Sequence, residues 1–304
     1  MIQSMIQGLT EIAKKDDKII FLIVDDIEPY EGLHESFPDR TFLVGIAECN
    51  AVSMAGGLAS CGYKPYVIGG DSFLAYRAFE FIRSQVCLEK RNVKLIGIGA
   101  GLAIGVHGSM HTATEDVAVL RALPDLTVIT PATETEVKQV MQVSAESHHP
   151  MFIRLGRSCG EDFYLNSDHQ FHLEKLQEIK TGSDLAVICH GSIVCDVVNA
   201  VEGLDEHKIG VINLSTIKPM DEAGLLDLSG RYKKWLTVEE HNLCGGLGSA
   251  VAEVVMDHNL DVKLRRMGMC DAFSRATGGH ADIKRSVGLG IDDIRKACKR
   301  MMEG

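Results

Sequence analysis

Short segments rich in Val, Ile and Leu alternate with segments of helical periodicity along most of this sequence. Parallel strands that are buried on both faces appear as short apolar runs, and helices connect them. The apolar runs of the first half cover residues 18–25, 41–45, 65–68, 93–98, 126–130 and 151–154. The helical segments lie near residues 1–13, 48–61, 75–89, 113–122 and 133–147. This alternation predicts an α/β fold built on a mostly parallel sheet.

The alternation stops after residue 157 and starts again near residue 184. The residues between are mostly polar and predict a linker with at most one short strand. Further strands are predicted at residues 184–189, 207–214, 235–239 and 262–267, with helices near residues 191–203, 221–229, 246–258 and 292–302. The sequence therefore predicts two doubly wound α/β domains, which comprise a mostly parallel domain at residues 1–165, a linker at 166–182 and a smaller domain at 183–304.

Composition narrows the classes of function. The 304 residues suffice for two domains of about 150 residues each. The net charge is −11, with acids and bases interspersed, which disfavours nucleic-acid binding because phosphate contacts need a clustered cationic face. No apolar run reaches the roughly 18 residues that span a bilayer, so we expect no membrane association. Nine scattered cysteines without CxxC pairs favour a reducing cytoplasm.

One carboxylate stands at a junction between a predicted strand and a predicted helix. Glu48 follows the apolar run 41–45 and begins a helix that is rich in glycine and alanine. Burial of a carboxylate at such a junction is costly unless a partner binds it. Glu48 is therefore a candidate functional residue.

Two histidines and two aromatic residues follow other strands of the same predicted sheet. His107 and His111 lie four residues apart in a glycine-rich loop after the fourth strand, and Phe73 and Tyr76 follow the third. A single loop histidine more often has only a structural role, but a pair in the same sheet as Glu48 favours acid–base chemistry or hydroxyl binding. The two aromatic residues are either core residues or a platform for a flat ring.

Two arginines stand at the end of the sixth predicted strand. Arg154 and Arg157 are either surface ion-pair residues or a clamp for an anion, and position alone does not separate these interpretations. The adjacent His148 and His149 precede a proline in a polar segment and are interpreted as a surface turn. The sequence therefore predicts no metal site in this chain.

Two glycine-rich turns are weak candidates for anion binding. Residues 97–101 follow a strand, but their third glycine comes too soon for a dinucleotide-binding turn and no acidic residue follows at the required distance. Residues 245–248 precede a helix, where close packing of helix on strand and anion binding are equally compatible with the sequence.

With these features in order, the chain resembles the transketolase family. The resemblance is carried by FPDRTFLVGIAE at residues 37–48, HGSMH at 107–111, LRALPDLTVITPA at 120–132 and VEEHNLCGGLGS at 238–249. It implies that the chain corresponds to the C-terminal half of such an enzyme, with the pyrimidine-binding domain followed by the C-terminal domain. It further implies thiamine diphosphate (ThDP) as cofactor and transfer of a two-carbon ketol unit from a ketose to an aldose.

The resemblance also implies roles for residues near the cofactor. Glu48 corresponds to the catalytic glutamate that hydrogen-bonds N1′ of the aminopyrimidine ring and so assists removal of the thiazolium proton. Phe73 corresponds to the residue that stacks on this ring, and Tyr76 lines the same pocket. Asp26 falls near a loop acid that touches the ring or the substrate.

Substrate contacts follow from the same resemblance. His111 corresponds to the histidine that hydrogen-bonds substrate hydroxyls, and Arg157 corresponds to the arginine that holds a sugar phosphate, with Arg77 as a second candidate. His107 stands where the family usually has an acid that recognises a donor hydroxyl. Other phosphate arginines of the family are replaced, for example by Ala100 and Ile2. The identity of the substrates, and whether they are phosphorylated, therefore stay open.

One part of the family pattern is absent from this sequence. No Gly-Asp-Gly motif is followed after 25 to 30 residues by asparagine, the pattern that holds Mg²⁺ and the diphosphate in the family. The resemblance therefore implies that an N-terminal subunit supplies the diphosphate-binding domain and most contacts to Mg²⁺. Because ThDP lies between two units in this family, we expect an α2β2 heterotetramer. The chain alone should be inactive.

Three other functions stay open at this point. The β subunit of a 2-oxoacid dehydrogenase E1 component shares the domain order, and residues 37–48 also resemble deoxyxylulose phosphate synthases. The continuous stretches at 120–132 and 238–249 favour transketolase over the dehydrogenase, and the synthases normally keep three domains in one chain. A scaffold subunit without catalysis is the third alternative, but the retained Glu48, Phe73 and His111 argue against it.

Overall fold

Two β-sheets organise the chain in a computed structural model that describes residues 1–157, 162–164, 169–202, 204 and 208–303. The strands are, in chain order, β1 (Ile19–Ile23), β2 (Thr41–Leu43), β3 (Lys64–Gly70), β4 (Lys94–Ile98), β5 (Thr127–Ile129), β6 (Met151–Leu155), β7 (Gln177–Lys180), β8 (Leu185–Cys189), β9 (Ile209–Asn213), β10 (Thr216–Lys218), β11 (Lys234–Asn242) and β12 (Lys263–Met269). The α-helices are α1 (Ile2–Ala13), α2 (Glu31–Ser36), α3 (Glu48–Ser60), α4 (Phe79–Phe81), α5 (Asp116–Arg121), α6 (Glu134–Glu146), α7 (Ile193–Glu202), α8 (Glu222–Arg231), α9 (Leu247–Asp257), α10 (His280–Ser286) and α11 (Ile291–Glu303). The predicted α/β class is confirmed.

The first sheet has seven strands in the order β10-β5-β6-β4-β3-β1-β2. All of them pair in parallel except β10, which is antiparallel to β5. Helices cover both faces of this sheet, and alternate residues of β1, the second strand from one edge, pack in different cores. Phe21 and Ile23 pack in the core that contains α1 and α6, whereas Ile20 and Leu22 pack in the core that contains α3. The sheet is thus doubly wound, as the apolar runs predict.

The second sheet has five strands in the order β12-β11-β8-β9-β7. Its strands are parallel except for the edge strand β7, which is antiparallel to β9. Helices α7 and α11 pack on one face. On the other face, Leu247 and Val251 of α9 share a continuous hydrophobic core with Leu120 and Leu126 of the first half of the chain. The two sheets are therefore parts of one packed molecule.

Two strands do not follow the domain boundaries that the sequence predicts. β7 lies inside residues 166–182, the predicted linker, and forms the edge of the second sheet. β10 comes from the second half but extends the first sheet beyond β5. Lys218, at the end of β10, donates through Nζ to the backbone carbonyl of Arg121, at the end of α5. The chain therefore returns to the first sheet after entering the second.

The segment predicted as one helix at residues 75–89 is a succession of wide turns. Residues Phe73–Arg77 form a π-helical turn in which the N–H of Ala78 bonds to the carbonyl of Phe73, five residues back. A second π-helical turn, Ile82–Cys87, follows α4. The predicted helical segment is present, but two of its turns close through hydrogen bonds to the residue five positions back, which apolar periodicity does not reveal.

Other boundaries differ in smaller ways. α5 begins at Asp116 rather than near residue 113, because Ala113 instead pairs with Gly101 in an isolated antiparallel bridge. Helix α6 is capped by Thr133, whose hydroxyl accepts from the N–H of Glu136. Sequence patterns did not predict three short elements, namely α2, β10 and α10.

Within the described residues, no helix is long and apolar enough to cross a bilayer, and no group of three His, Cys, Asp or Glu side chains could hold a metal ion. Cys195 in α7 is disulfide-bonded. The described cysteines with free thiols are Cys49, Cys61, Cys87, Cys189, Cys244, Cys270 and Cys298.

Candidate active site

The carboxyl ends of β2, β3 and β4 bring Glu48, Phe73 and His111 to one edge of the first sheet. Such an edge is where open α/β sheets usually bind ligands. Between β2 and α3 the chain turns sharply at Gly45, whose φ of 70° favours glycine. Glu48 is the first residue of α3 and only 2% exposed. The predicted burial of this carboxylate at a strand–helix junction is confirmed.

Arg77 is the direct partner of Glu48. Its Nη1 atom lies 2.8 Å from Oε2 of Glu48, and the arginine side chain is 49% exposed. The guanidinium carbon also lies 4.8 Å from the centre of the Phe73 ring. The π-helical turn places Phe73 and Arg77 on the same side, and the Cys49 thiol donates to the Arg77 carbonyl. A planar cation therefore contacts both the carboxylate and the aromatic ring.

Phe73 is also in contact with the predicted histidine pair. The His111 ring packs edge-on against Phe73, with ring centres 5.2 Å apart and planes at 87°. His107 lies 4.9 Å from His111, again between ring centres. The Nδ1 atom of His111 is buried and has no hydrogen-bond partner among the described residues. Glu48, Arg77, Phe73, His111 and His107 thus form one continuous line of contacts.

Tyr76 lies beside this line and is fixed by Glu115. Its hydroxyl donates to Oε2 of Glu115 at 2.8 Å and accepts from the Glu115 N–H at 3.0 Å. Burial, with the negative charge of Asp116 as the next cause, raises the pKa of Tyr76, so the phenol is neutral at physiological pH. Tyr76 therefore joins the turn that carries Phe73 to the start of α5.

A cavity of about 470 Å³ lies next to His107. Arg157 lines this cavity. Its side chain is exposed, and it lies two residues after the end of β6. The rest of the lining includes several aliphatic side chains and the amino-terminal segment, where the Met1 ammonium is 3.2 Å from Oε1 of Glu134. Further lining residues are Ile2, Ile98, Ile104 and Val106. His107 and Arg157 thus share one cavity at the end of the line of contacts.

Asp26 contacts none of these site residues in the described part of the chain. It is exposed, and its Oδ1 accepts from the N–H of Glu28, which stabilises the turn after β1. A cofactor or substrate contact for Asp26 stays a prediction from the resemblance.

Three buried ionisable side chains, those of Arg154, Asp116 and Asp71, lie behind the site. The sequence did not predict a role for Asp116 or Asp71. Arg154, at the end of β6, donates through Nε to Oδ2 of Asp116 at 2.5 Å and through Nη2 to the Glu240 carbonyl. Both interpretations of Arg154, as a surface ion-pair residue or an anion clamp, are wrong because the side chain is buried. No N–H or O–H group among the described residues donates to the Asp71 carboxyl, whose neighbour is the carboxyl of Asp116. Burial, together with the charge of Asp116, raises the pKa of Asp71 well above its usual range.

The second glycine-rich turn already has a carboxylate from this chain. Glu239, in β11, accepts from the N–H groups of Leu247 at 2.7 Å and Gly248 at 2.8 Å, at the start of α9. A helix N-terminus attracts negative charge, and Glu239 supplies it. Of the two interpretations that the sequence left open for residues 245–248, the structure favours an internal structural role over binding of an external anion.

The first glycine-rich turn is explained by packing as well. A side chain at Gly97 would meet Asp71, and one at Gly101 would meet Glu240. Gly101 also has a φ of 63°. The turn therefore allows β4 and its loop to approach the buried acids closely, and it is not a nucleotide-binding turn.

The sequence gives little indication of the buried acidic residues that it did not predict. Asp71 follows the predicted strand 65–68 and Asp116 lies in the predicted helix 113–122, but nothing in their spacing shows that they lie near each other and near Arg154. Glu239 and Glu240 lie in the stretch that carries the family resemblance, yet their neighbours come from distant parts of the chain.

Both halves of the chain match models of one protein family. The model of the transketolase pyrimidine-binding domain matches residues 6–161, and that of the transketolase C-terminal domain matches residues 174–294. The fold and the grouped residues define an α/β protein with a candidate ligand site at the carboxyl ends of its strands. The chain belongs to the transketolase family.

Several known proteins are similar to this chain over most of their length. The chain is 35% identical to a Methanocaldococcus jannaschii protein that is named as a putative transketolase C-terminal section, over 98% of this chain and 93% of that protein. It is 32% identical to an apulose-4-phosphate transketolase subunit of Actinobacillus succinogenes, over 86% of this chain and 84% of that protein. A solved structure described as a split gene transketolase, inactive beta4 tetramer, matches with a TM-score of 0.89 and 30% identity, covering 99% of this chain and 97% of that one.

Proposed function

We propose that this chain is the C-terminal subunit of a split, ThDP-dependent transketolase. It transfers a two-carbon ketol unit from a ketose or ketose phosphate to an aldose or aldose phosphate, and it is active only with a separate subunit. The observation that carries this proposal is the buried carboxylate of Glu48, grouped with Phe73 and His111 at one edge of the sheet. The names of two similar proteins, one a transketolase C-terminal section and the other a transketolase subunit, support a divided enzyme.

The residues present fit the aminopyrimidine ring of ThDP. Glu48 and Phe73 both contact the Arg77 guanidinium, which is a flat cation that donates hydrogen bonds. A flat ring with nitrogen donors needs the same two partners, a carboxylate oxygen and an aromatic face. The unpartnered Nδ1 atom of His111 provides a further polar contact beside them. Glu48, Phe73 and Tyr76 would therefore hold the ring.

Each of these residues has a defined task in the proposed reaction. ThDP, when bound, supplies the carbon nucleophile and the electron sink that let the C2–C3 bond of a ketose break. The Glu48 carboxyl shares a proton with N1′ of the ring, which is general acid–base assistance at a buried oxygen. The face of Phe73 orients the ring. His111 donates hydrogen bonds to substrate hydroxyls beside the ring.

The far end of the substrate binds near His107 and Arg157. Both residues line the cavity beside His111, so a sugar that reaches from His111 into the cavity meets them in turn. Arg157 provides one charge-assisted contact to a phosphate or another anion at that end. Because the name of the Actinobacillus relative includes apulose 4-phosphate, that ketose phosphate is a suitable first substrate to test.

The diphosphate of ThDP and Mg²⁺ require residues that this chain does not supply. No Gly-Asp-Gly pattern with its later asparagine occurs in the sequence, and no described group of His, Cys, Asp or Glu could hold a metal. An N-terminal transketolase subunit would supply both contacts. Two copies of each subunit would form an α2β2 heterotetramer, because the cofactor lies between subunits in this family. We place this enzyme in the cytoplasm.

Coexpression tests this proposal. The chain is produced together with the product of the neighbouring gene, and ketol transfer is measured with ThDP, Mg²⁺ and a panel of ketose and aldose phosphates. We expect turnover by the complex, none by either subunit alone, and none by the complex with Glu48→Ala. Glu35→Ala, an exposed glutamate of α2, is the matched control and should keep full activity. Turnover by this chain alone would contradict the divided site, and normal activity of Glu48→Ala would contradict the role of Glu48.

A further inference from the structure

A single arginine occupies both contacts that the proposed cofactor ring requires. Arg77 donates to Oε2 of Glu48 at 2.8 Å, and its guanidinium lies over Phe73 at 4.8 Å from the ring centre. The hydrogen bond to Glu48 and the aromatic face of Phe73 are the two contacts assigned above to the aminopyrimidine. One guanidinium and one aminopyrimidine cannot occupy the same face of Phe73 together.

Arg77 is also free to move outward from this position. Its side chain is 49% exposed, whereas Glu48 is 2% exposed, so the cation approaches the carboxylate from the solvent side. The backbone of Arg77 ends a π-helical turn, and the bond that closes this turn, from the Ala78 N–H to the Phe73 carbonyl, is long at 3.4 Å. Rotation of the arginine side chain alone would uncover both Glu48 and Phe73.

The Arg77 contact has a clear electrostatic reason. A buried carboxylate without a cation or hydrogen-bond donors is strongly destabilising, and a guanidinium compensates much of that penalty. The ring would compensate the same carboxylate once it binds. The two partners of Glu48 are therefore alternatives rather than additions.

We propose that Arg77 is a built-in competitor of the cofactor ring, which stabilises Glu48 before ThDP binds and must leave Phe73 when the ring arrives. This inference rests on the proposed function. It assigns Arg77 a task different from the phosphate contact that the sequence suggested. A competitor that occupies the site lowers the apparent affinity of the ligand by the fraction of molecules in which the site is open. Removal of Arg77 should consequently weaken the free subunit and tighten cofactor binding, two effects of opposite sign.

The first test uses the purified chain without its partner and needs no cofactor. Urea unfolding midpoints are measured for the wild type, Arg77→Met, Glu48→Gln and the double variant. Methionine keeps much of the arginine stem over Phe73 and removes the charge. We expect Arg77→Met to lower the midpoint when Glu48 is present and to leave it unchanged in the Glu48→Gln background. Equal effects of Arg77→Met in both backgrounds would overturn the proposal, because Arg77 would then not stabilise Glu48.

The second test measures ThDP affinity of the complex by isothermal titration calorimetry. We expect the Kd of the Arg77→Met complex to be about tenfold lower than that of the wild type. Arg83→Met is the control, since Arg83 is exposed and lies six residues further along the same segment. Unchanged or weaker binding by Arg77→Met, relative to Arg83→Met, would overturn the competitor role alone. Absence of ThDP binding by the wild-type complex would overturn the proposed function and this inference together.

Discussion

The Nε2 atom of His280 lies 2.7 Å from Oε2 of Glu240, and Glu240 in turn contacts the loop that carries His107 and His111. The same Oε2 atom accepts from the N–H of Leu102, in that loop. Burial, the largest single cause, would raise the pKa of Glu240, but the hydrogen bond and charge of His280, the charge of Lys284 and the Leu102 N–H together lower the pKa to about 2. The Glu240 carboxylate is therefore charged at every physiological pH and holds the backbone of that loop at Leu102.

Glu240 makes stability depend on acidity in a defined range. A carboxyl with a lowered pKa in the folded state stabilises the fold above its ordinary pKa near 4.5, and this contribution is lost as pH falls towards about 2. The shift corresponds to roughly 3 kcal/mol. We expect Glu240→Gln to lower the free energy of unfolding by about that amount at pH 7 and by much less at pH 2.5, as measured by urea denaturation at a series of pH values.

Glu11→Gln serves as the matched control, because Glu11 is exposed on α1. It should change the free energy of unfolding by less than about 0.5 kcal/mol at any pH. A Glu240→Gln variant with the same penalty at pH 2.5 and pH 7 would show that the lost interaction is packing rather than charge.

Asp71 should have the opposite pH dependence. Burial, followed by the charge of Asp116, raises its pKa, and Arg154 compensates only in part. An acid with a raised pKa stabilises the fold only while it stays protonated, so this contribution declines from about pH 4 upward and is lost through the folded-state pKa. Asp71→Asn should be more stable than the wild type, by about 1.4 kcal/mol for each pH unit above 4 until that pKa is reached. Guanidinium unfolding at pH 5, 6.5 and 8 measures this difference.

The exposed Asp17 provides the comparison for Asp71, since Asp17→Asn removes the same charge from the surface. Its stability relative to the wild type should not vary with pH in this range. If Asp71→Asn is less stable than the wild type at pH 8, the interaction of the Asp71 carboxyl with Asp116 outweighs the cost of burying it, and asparagine cannot replace that interaction.

Glu48, Phe73 and His111 could be located from the sequence because each follows a parallel strand, and the carboxyl ends of such strands meet at one edge. The residues that form ion pairs in and around the site could not be located in this way. The Arg77–Glu48 contact depends on a π-helical turn that apolar periodicity reports as an ordinary helix. Ion pairs such as Arg154–Asp116 join residues 38 positions apart, and spacing carries no sign of them.

The fold shows the same division between local and distant information. Long, apolar elements such as α1 and α6 have enough residues for periodicity to identify them. The three residues of β10 are too few for any pattern, and their place is set by pairing with β5, almost ninety positions earlier in the chain. The conformation and position of such short elements depend on the strand or helix that they pair or pack with.

Tyr76 should contribute to cofactor binding by fixing Phe73. Its hydroxyl makes two hydrogen bonds with Glu115, each worth about 0.5–1.5 kcal/mol. Because Tyr76 is 37% exposed, water can replace these bonds, and Tyr76→Phe should leave the urea midpoint nearly unchanged. We expect the Kd for ThDP of the complex to rise about 2- to 10-fold, measured by titration calorimetry. Tyr63→Phe, which changes a tyrosine away from this site, should not affect it.

His111 combines a packing role with a chemical one, and substitutions can separate them. Its ring packs edge-on against Phe73 at 5.2 Å, while the buried Nδ1 atom has no hydrogen-bond partner in the described part of the chain. His111→Phe keeps an aromatic ring and removes both nitrogens. We therefore expect a urea midpoint close to that of the wild type, but a kcat/KM for ketol transfer that is about 10- to 100-fold lower, because one donor to a substrate hydroxyl is lost.

His111→Ala removes the ring as well and completes the comparison. It should lose the same factor in kcat/KM and, in addition, lower the urea midpoint, because Phe73 loses its edge-on neighbour. Equal kcat/KM values for His111→Phe and the wild type would show that His111 only supports Phe73. A loss in kcat/KM that is the same for every substrate hydroxyl pattern would place the action of His111 on the cofactor side rather than on the sugar.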